Sequence, residues 1–261
     1  MRVRDQLGRE LEFDGVPARI VSLVPSQTEL VVDLGLEEQL VGITKFCVHP
    51  EHLRRSKTVV GGTKQIHVDR IADLQPDIII ANKEENTEEL VRELSGICPV
   101  WVSDIATLDQ ALEMIRLLGE LFARSGQASS LILDIEEGFK SLEEKMLNRE
   151  KLKAVYLIWN NPLMAAGKGT FIDHLLQRCG FENLISEIRY PEVTYAELKQ
   201  ADIVLLSSEP FPFKALHAEE LENSGIKKVV LTDGEMWSWY GSRLVKAAKY
   251  LEDFRLCLGM F

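Results

Sequence analysis

Residues 125–148, SGQASSLILDIEEGFKSLEEKMLN, constrain the fold more than any other stretch. Apolar side chains recur at Ala128, Leu131, Ile132, Ile135, Phe139, Leu142 and Met146, in steps of three and four. That is the period of one face of an α-helix. Ser125 is placed to act as N-cap, and Asn148 ahead of a basic stretch suits the far end. At 1.5 Å per residue such a helix runs roughly 35 Å, about the diameter of a small domain. Short apolar strands alternate with helical segments on both sides of it, which predicts a rigid strut between two α/β lobes. The alternative is an ordinary crossover helix inside one sheet.

The alternation begins with a lead-in over 1–18, with a hairpin expected at Asp14-Gly15. Residues 19–24 (RIVSLV) form the first buried strand, and Ser26 and Glu29 then stand in S-x-x-E capping-box spacing. Gly35 ends that helix. Strands follow at 40–44, 58–60, 77–81 and 100–102, with helices at 68–74, 87–94 and 107–122. After the strut come strands at 153–159, 202–207 and 228–231, and helices at 170–179, 194–199 and 243–254. Strand–helix alternation of this kind argues for mostly parallel sheets. LQPDIIIAN in the first half and KQADIVLLS in the second share a helix end, an aspartate and an apolar strand, a weak internal echo. The expected domains are 1–124, the helix 125–148, and 149–261.

With 261 residues, the chain has length for one large domain or two ordinary ones. A net charge of −11 argues against a phosphate-backbone surface and hence against nucleic acid as a partner. Apolar runs such as Ile78-Ile79-Ile80-Ala81 are far too short to span a bilayer. The N-terminus mixes both charges and has no apolar core of a secretory signal, so the sequence as given reads as cytoplasmic. Cys47, Cys98, Cys179 and Cys257 are widely spaced and read as free thiols.

Three stretches carry a family resemblance: RIVSLVPSQTELVVDLGLEEQLVGIT, then VGGTK, then VDRIADLQPDIIIAN. The second half adds GKGTFIDHLLQRCGFENL and PEVTYAELKQADIVLL. Together they resemble the class III substrate-binding proteins of ABC transporters, and among these the cobalamin receptors most. The resemblance implies two Rossmann-like lobes joined by one long helix and a ligand held in the cleft between them. It also implies a cobalamin, ferric siderophore or haem ligand, no tightly bound cofactor, an ABC permease as partner, and a periplasmic or lipid-anchored setting. A stiff strut further implies small closure on binding.

Loops following the strands line the ligand site in open α/β sheets. These bring Pro25, Ser26, Phe46, Thr63 and Lys64 from the first half, and Trp159, Glu209, Trp237, Trp239 and Arg243 from the second. Aromatic rings offer broad rigid contact to a flat macrocycle, and Lys64 and Arg243 suit ligand carboxylates or phosphate. Trp159, Trp237 and Trp239 are otherwise core aromatics, although the loop over 235–241 is expected to be exposed. Phe46 falls where the resembling receptors place an aromatic against the corrin ring; Thr63 stands where they carry tryptophan, a departure that points also to other or smaller ligands. The resemblance implies one docking acid per lobe: Asp69 in the first, and in the second Ala196 at the matching position with Glu197 beside it.

Cys47, His49 and His52 are the candidate metal ligands, but a short cluster lacking a fourth ligand is a poor cage. No G-x-S-x-G, H-E-x-x-H or phosphate-loop motif is present. The leading expectation is therefore a solute-binding protein and not an enzyme. The rivals are a cytoplasmic chelate-handling protein without a permease and a metallocluster-related factor using Cys47.

Overall fold

The computed structural model describes residues 1–62 and 65–258; Thr63 and Lys64, and what was expected of them, lie outside the described residues. The chain divides into two units. One comprises Met1–Asp104, Asp109–Leu133 and Tyr240–Arg243, the other Ile105–Leu108, Asp134–Trp239 and Leu244–Phe261.

The first unit opens with an antiparallel pair, β1 (Arg2–Arg4) and β2 (Glu10–Glu12). Its turn lies at Asp5–Gly8 rather than at Asp14-Gly15. The Asp5 carboxylate explains the shift, because it accepts the backbone N–H groups of Leu7 at 3.0 Å and Arg9 at 2.9 Å. There follow β3 (Ile20–Ser22), α1 (Pro25–Asp33), β4 (Leu40–Ile43), α2 (Leu53–Ser56), β5 (Thr58–Val59) and α3 (Val68–Asp73). Then come β6 (Ile78–Asn82), α4 (Glu88–Leu94), β7 (Val100–Ser103) and α5 (Leu108–Leu121). The strands form one parallel sheet in the order β5-β4-β3-β6-β7. Helices on a parallel sheet bury both its faces, which is why β3, β6 and β7 read as near-continuous Ile and Val.

α1 departs from the expected capping box. Pro25 occupies the first helical turn and Val24 is the N-cap, with no side-chain cap. Ser26 is thereby already inside the helix, and Glu29 turns elsewhere. The far end behaves as read: Gly35 takes φ +76°, with Gly35 N–H bonding Val32 O and Leu36 N–H bonding Val31 O, a Schellman closure.

The long helix, α6 (Ser125–Met146), starts in the first unit and ends in the second. Five of its seven predicted apolar positions are buried; Leu131 and Ile132 are half-buried. In its first turns Ala128 lies so close to Gly119 of α5 that a Cβ there would sit 2.4 Å away. The second unit continues with β8 (Leu152–Trp159), β9 (Met164–Ala165), α7 (Phe171–Arg178), β10 (Phe181–Asn183) and α8 (Tyr195–Leu198). β11 (Ile203–Ser207), α9 (Ala215–Asn223), β12 (Val229–Thr232), α10 (Glu235–Ser238) and α11 (Leu244–Leu258) complete it. Its sheet runs β10-β8-β11-β12, all parallel, with β9 antiparallel on β8. Later along α6, Gly138 meets Ala248 of α11, where a Cβ would come within 2.9 Å. Two α/β units with parallel sheets, connected by one long helix, are the expected fold class.

The internal echo has a physical counterpart. Asp77 donates its backbone N–H to the Arg19 carbonyl at 2.9 Å, and its carboxylate accepts Arg19 N–H at 2.9 Å, fixing the entry to β3 beside β6. Asp202 does the same to Lys153 at 2.9 Å, fixing β8 beside β11.

Candidate functional site

In parallel α/β sheets the strands' carboxyl ends, where loops and helix starts gather free N–H groups and side chains, are the place for a ligand. In the first unit the loop after β4 carries Phe46, 48% exposed, with Lys45 Nζ 5.0 Å above its ring. The next residue, Cys47, points the other way. Its sulfur is fully buried, 3.1 Å from Thr28 Oγ1 and 3.3 Å from Thr44 Oγ1, and burial pushes its pKa up. His52 instead pairs with Glu37 at 2.7 Å on the surface, and His49 is half-buried. Cys47, His49 and His52 therefore do not form a cage. Among the described residues no group of three or more His, Cys, Asp or Glu is arranged to hold a metal ion.

Pro25 and Ser26 are buried. So is Arg243, whose Nε and Nη2 donate to the two oxygens of Glu29 at 2.8 and 2.9 Å. Gly241 makes this approach possible: it holds φ +123°, and a Cβ there would lie 3.2 Å from the Ser26 carbonyl oxygen. The guanidinium expected to meet a ligand is thus committed to a carboxylate of its own unit.

Sequence reasoning missed the polar layer beneath the β6 loop. Asn82 Oδ1 accepts the N–H groups of Glu84 and Glu85, and Asn82 Nδ2 donates to Ser103 Oγ at 2.9 Å. Gln27 Nε2 donates to the same Ser103 hydroxyl, while Gln27 Oε1 is buried without a hydrogen-bond partner among the described residues. A signal existed: β3, β6 and β7 are apolar runs that each end in a polar residue, Ser22, Asn82 and Ser103.

In the second unit Trp159 closes β8, 41% exposed, and meets Phe211 edge-on at 5.8 Å. Phe211 in turn packs on Phe213 at 4.8 Å. Neither phenylalanine was anticipated, although E-P-F-P-F after β11 marks a turn-rich aromatic loop. Glu209 opens that loop. Its Oε1 accepts from Ser238 Oγ and Trp239 Nε1, both at 2.8 Å. Burial raises its pKa above the ordinary carboxylate value, and the charges of Glu235 and Asp233 add to the rise while the two donors oppose it.

The expected exposure of the loop over 235–241 does not hold. α10 turns Trp237 fully inward among Tyr156, Phe181 and Phe254, with its indole N–H on Thr232 Oγ1 at 2.7 Å. Trp239 is 7% exposed. A single helical turn immediately after β12 draws these rings under the strand ends.

The two acids expected to dock on a permease differ in their surroundings. Asp69 is exposed in the first turn of α3. Glu197 closes a capping box on its own helix, accepting Thr194 N–H at 2.7 Å and Thr194 Oγ1–H at 2.6 Å. Those bonds hold its carboxyl below the usual range.

The periplasmic binding protein family matches residues 20–236. A vitamin B12-binding protein of Pectobacterium carotovorum subsp. carotovorum (strain PC1) is 25% identical over 244 residues, covering 90% of this chain and 87% of its own length. A periplasmic heme binding protein from Pseudomonas aeruginosa superposes with a TM-score of 0.81 at 22% identity, covering 91% of this chain and 92% of that one. The molybdate periplasmic binding protein MolA of Haemophilus influenzae gives a TM-score of 0.82 at 16% identity, covering 100% and 91%. One fold thus carries ligands of very different size, so the fold leaves ligand choice to the loops.

Proposed function

The chain belongs to the periplasmic binding protein family, and on that premise we propose that it is the solute-binding component of an ABC-type uptake system, holding a metal chelate rather than transforming it. A corrinoid is the first ligand, and a ferric siderophore or haem the second. The observation carrying this reading is the treatment of aromatics. Three of the four tryptophans, Trp101, Trp237 and Trp239, are at most 7% exposed, whereas Trp159 is 41% and Phe46 48% exposed. Each uncovered ring stands at the carboxyl end of a parallel strand of its own unit, the place where such sheets take ligands and where a flat hydrophobic surface would cover a ring.

Calorimetric titration with cyanocobalamin tests it. One-to-one binding is expected, weakened about tenfold by Phe46→Ala or Trp159→Ala, the upper end for loss of one aromatic contact. No heat at micromolar cyanocobalamin, haemin or ferric chelate would sink the reading. The folded-back carboxylate of Glu197 favours a second one, a chelate-handling protein that meets no permease. We propose Asp69 as the remaining docking acid. Asp69→Arg abolishing uptake in cells, with ligand affinity unchanged and the protein in the periplasmic fraction, would decide for the transporter; unaltered uptake and a cytoplasmic pool would decide against it.

A further inference from the structure

A cavity of about 440 Å³ opens in the second unit, lined by Arg149, Lys151, Arg178, Glu143, Met146 and Gly180 among others. Arg149 and Lys151 immediately precede β8 and Gly180 immediately precedes β10, so the cavity lies at the amino ends of the strands. The loops of Trp159 and Glu209 lie at the opposite ends. Of its cations Arg178 is already matched: its Nε donates to His174 Nε2 at 2.9 Å and its Nη1 to Glu143. The other two are exposed, and among the described residues neither has a carboxylate within ion-pair distance.

A third cation stands behind them. Arg255 is 3% exposed; its Nη2 donates to the carbonyl of Glu150, between Arg149 and Lys151, at 2.6 Å. Its guanidinium lies 5.2 Å from the ring of Phe181, next to Gly180. Its Nε is buried with no hydrogen-bond partner among the described residues. Burial lowers its pKa and the charge of Arg149 lowers it further, a stronger influence than the opposing charge of Glu150. Arg255 does not itself line the cavity, but a buried guanidinium with a like-charged neighbour adds positive potential behind Arg149 and Lys151, which an anion held by those two would offset.

We propose that this cavity binds a phosphate-bearing anion, free in solution or on a lipid headgroup, through Arg149 and Lys151 with the buried charge of Arg255 behind them. Two exposed cations and a planar guanidinium suit a multiply charged oxyanion better than a single carboxylate. The site is independent of the chelate-binding reading above.

The test is calorimetric titration of the full chain with sodium pyrophosphate at low ionic strength. Saturable one-to-one binding that weakens with added salt is expected, with Arg149→Gln and Lys151→Gln each weakening it about tenfold or more, as for loss of a charge-assisted bond. Neither exposed substitution should move the urea midpoint or the cyanocobalamin titration. Co-sedimentation with phosphatidylcholine–phosphatidylglycerol vesicles separates the sources. Vesicle binding lost in both variants, without pyrophosphate binding, assigns the site to a headgroup. Pyrophosphate binding without co-sedimentation assigns it to a soluble anion. Binding of neither probe, or binding that both substitutions leave unchanged, overturns the proposal. Failure with cyanocobalamin while pyrophosphate still binds would count against the chelate reading alone.

Discussion

The Glu29–Arg243 pair gives the sharpest stability prediction. Both residues are 6% exposed, and the two bonds between them, at 2.8 and 2.9 Å, use both carboxylate oxygens. Arg243→Met keeps most of the aliphatic stem but leaves the Glu29 carboxylate buried without its guanidinium. Breaking a buried pair from one side costs about 3–5 kcal/mol, whereas replacing both partners by apolar groups is often close to neutral. Urea unfolding followed by far-ultraviolet circular dichroism is the assay. With an m-value of roughly 3 kcal/mol/M, the Arg243→Met midpoint should fall by about 1 to 1.7 M. The double variant Glu29→Leu/Arg243→Met should recover more than half of that loss. A single-variant shift below about 0.3 M, or a double variant as unstable as the sum of the two singles, would refute the reasoning.

Glu209 makes stability depend on pH. Its folded pKa is raised, so its contribution is complete below the unfolded carboxylate value of about 4.3 and is lost as pH rises through the folded value. Glu209→Gln should flatten that decline in urea midpoints above about pH 4.3, and an unchanged profile would contradict the assignment. Trp237→Ala should cost about 3–5 kcal/mol of unfolding free energy, against well under about 1 for Trp159→Ala, because only the first ring is enclosed. Cys257 is exposed and Cys47 buried with its thiol's pKa raised, so iodoacetamide at pH 8 should label Cys257 first. Equal labelling rates by mass spectrometry would show that Cys47 is accessible.

The parallel sheets and α6 were legible because burial on both sides writes long Ile and Val runs and a full apolar stripe, signals that survive without any neighbour in view. β9 and β10 were not: Met164–Ala165 and Phe181–Asn183 are short and carry no run of β-branched residues. α9 was missed because Leu221 is its one buried residue. Site residues were legible only as types. Phe46 and Trp159 stand exposed where strand ends were expected. Trp237, Trp239 and Arg243 sit in the same sequence neighbourhood but are turned inward by one helical turn and by a carboxylate 214 residues away, and no local pattern records a partner that distant.

That distance bears on how the protein is made. The first unit includes Tyr240–Arg243, so its Glu29 waits for a residue 214 positions downstream. At the ribosome's pace of about 5–20 residues per second the wait lasts roughly 10–40 s. Through that interval the nascent sheet holds α1 without its partner, and burying Glu29 early would strand a charge. Chaperones and proteases therefore meet an unfinished first unit until Arg243 has been made. A chain cut short anywhere before Arg243 lacks the residue that neutralises Glu29, so its first unit keeps an unpaired carboxylate.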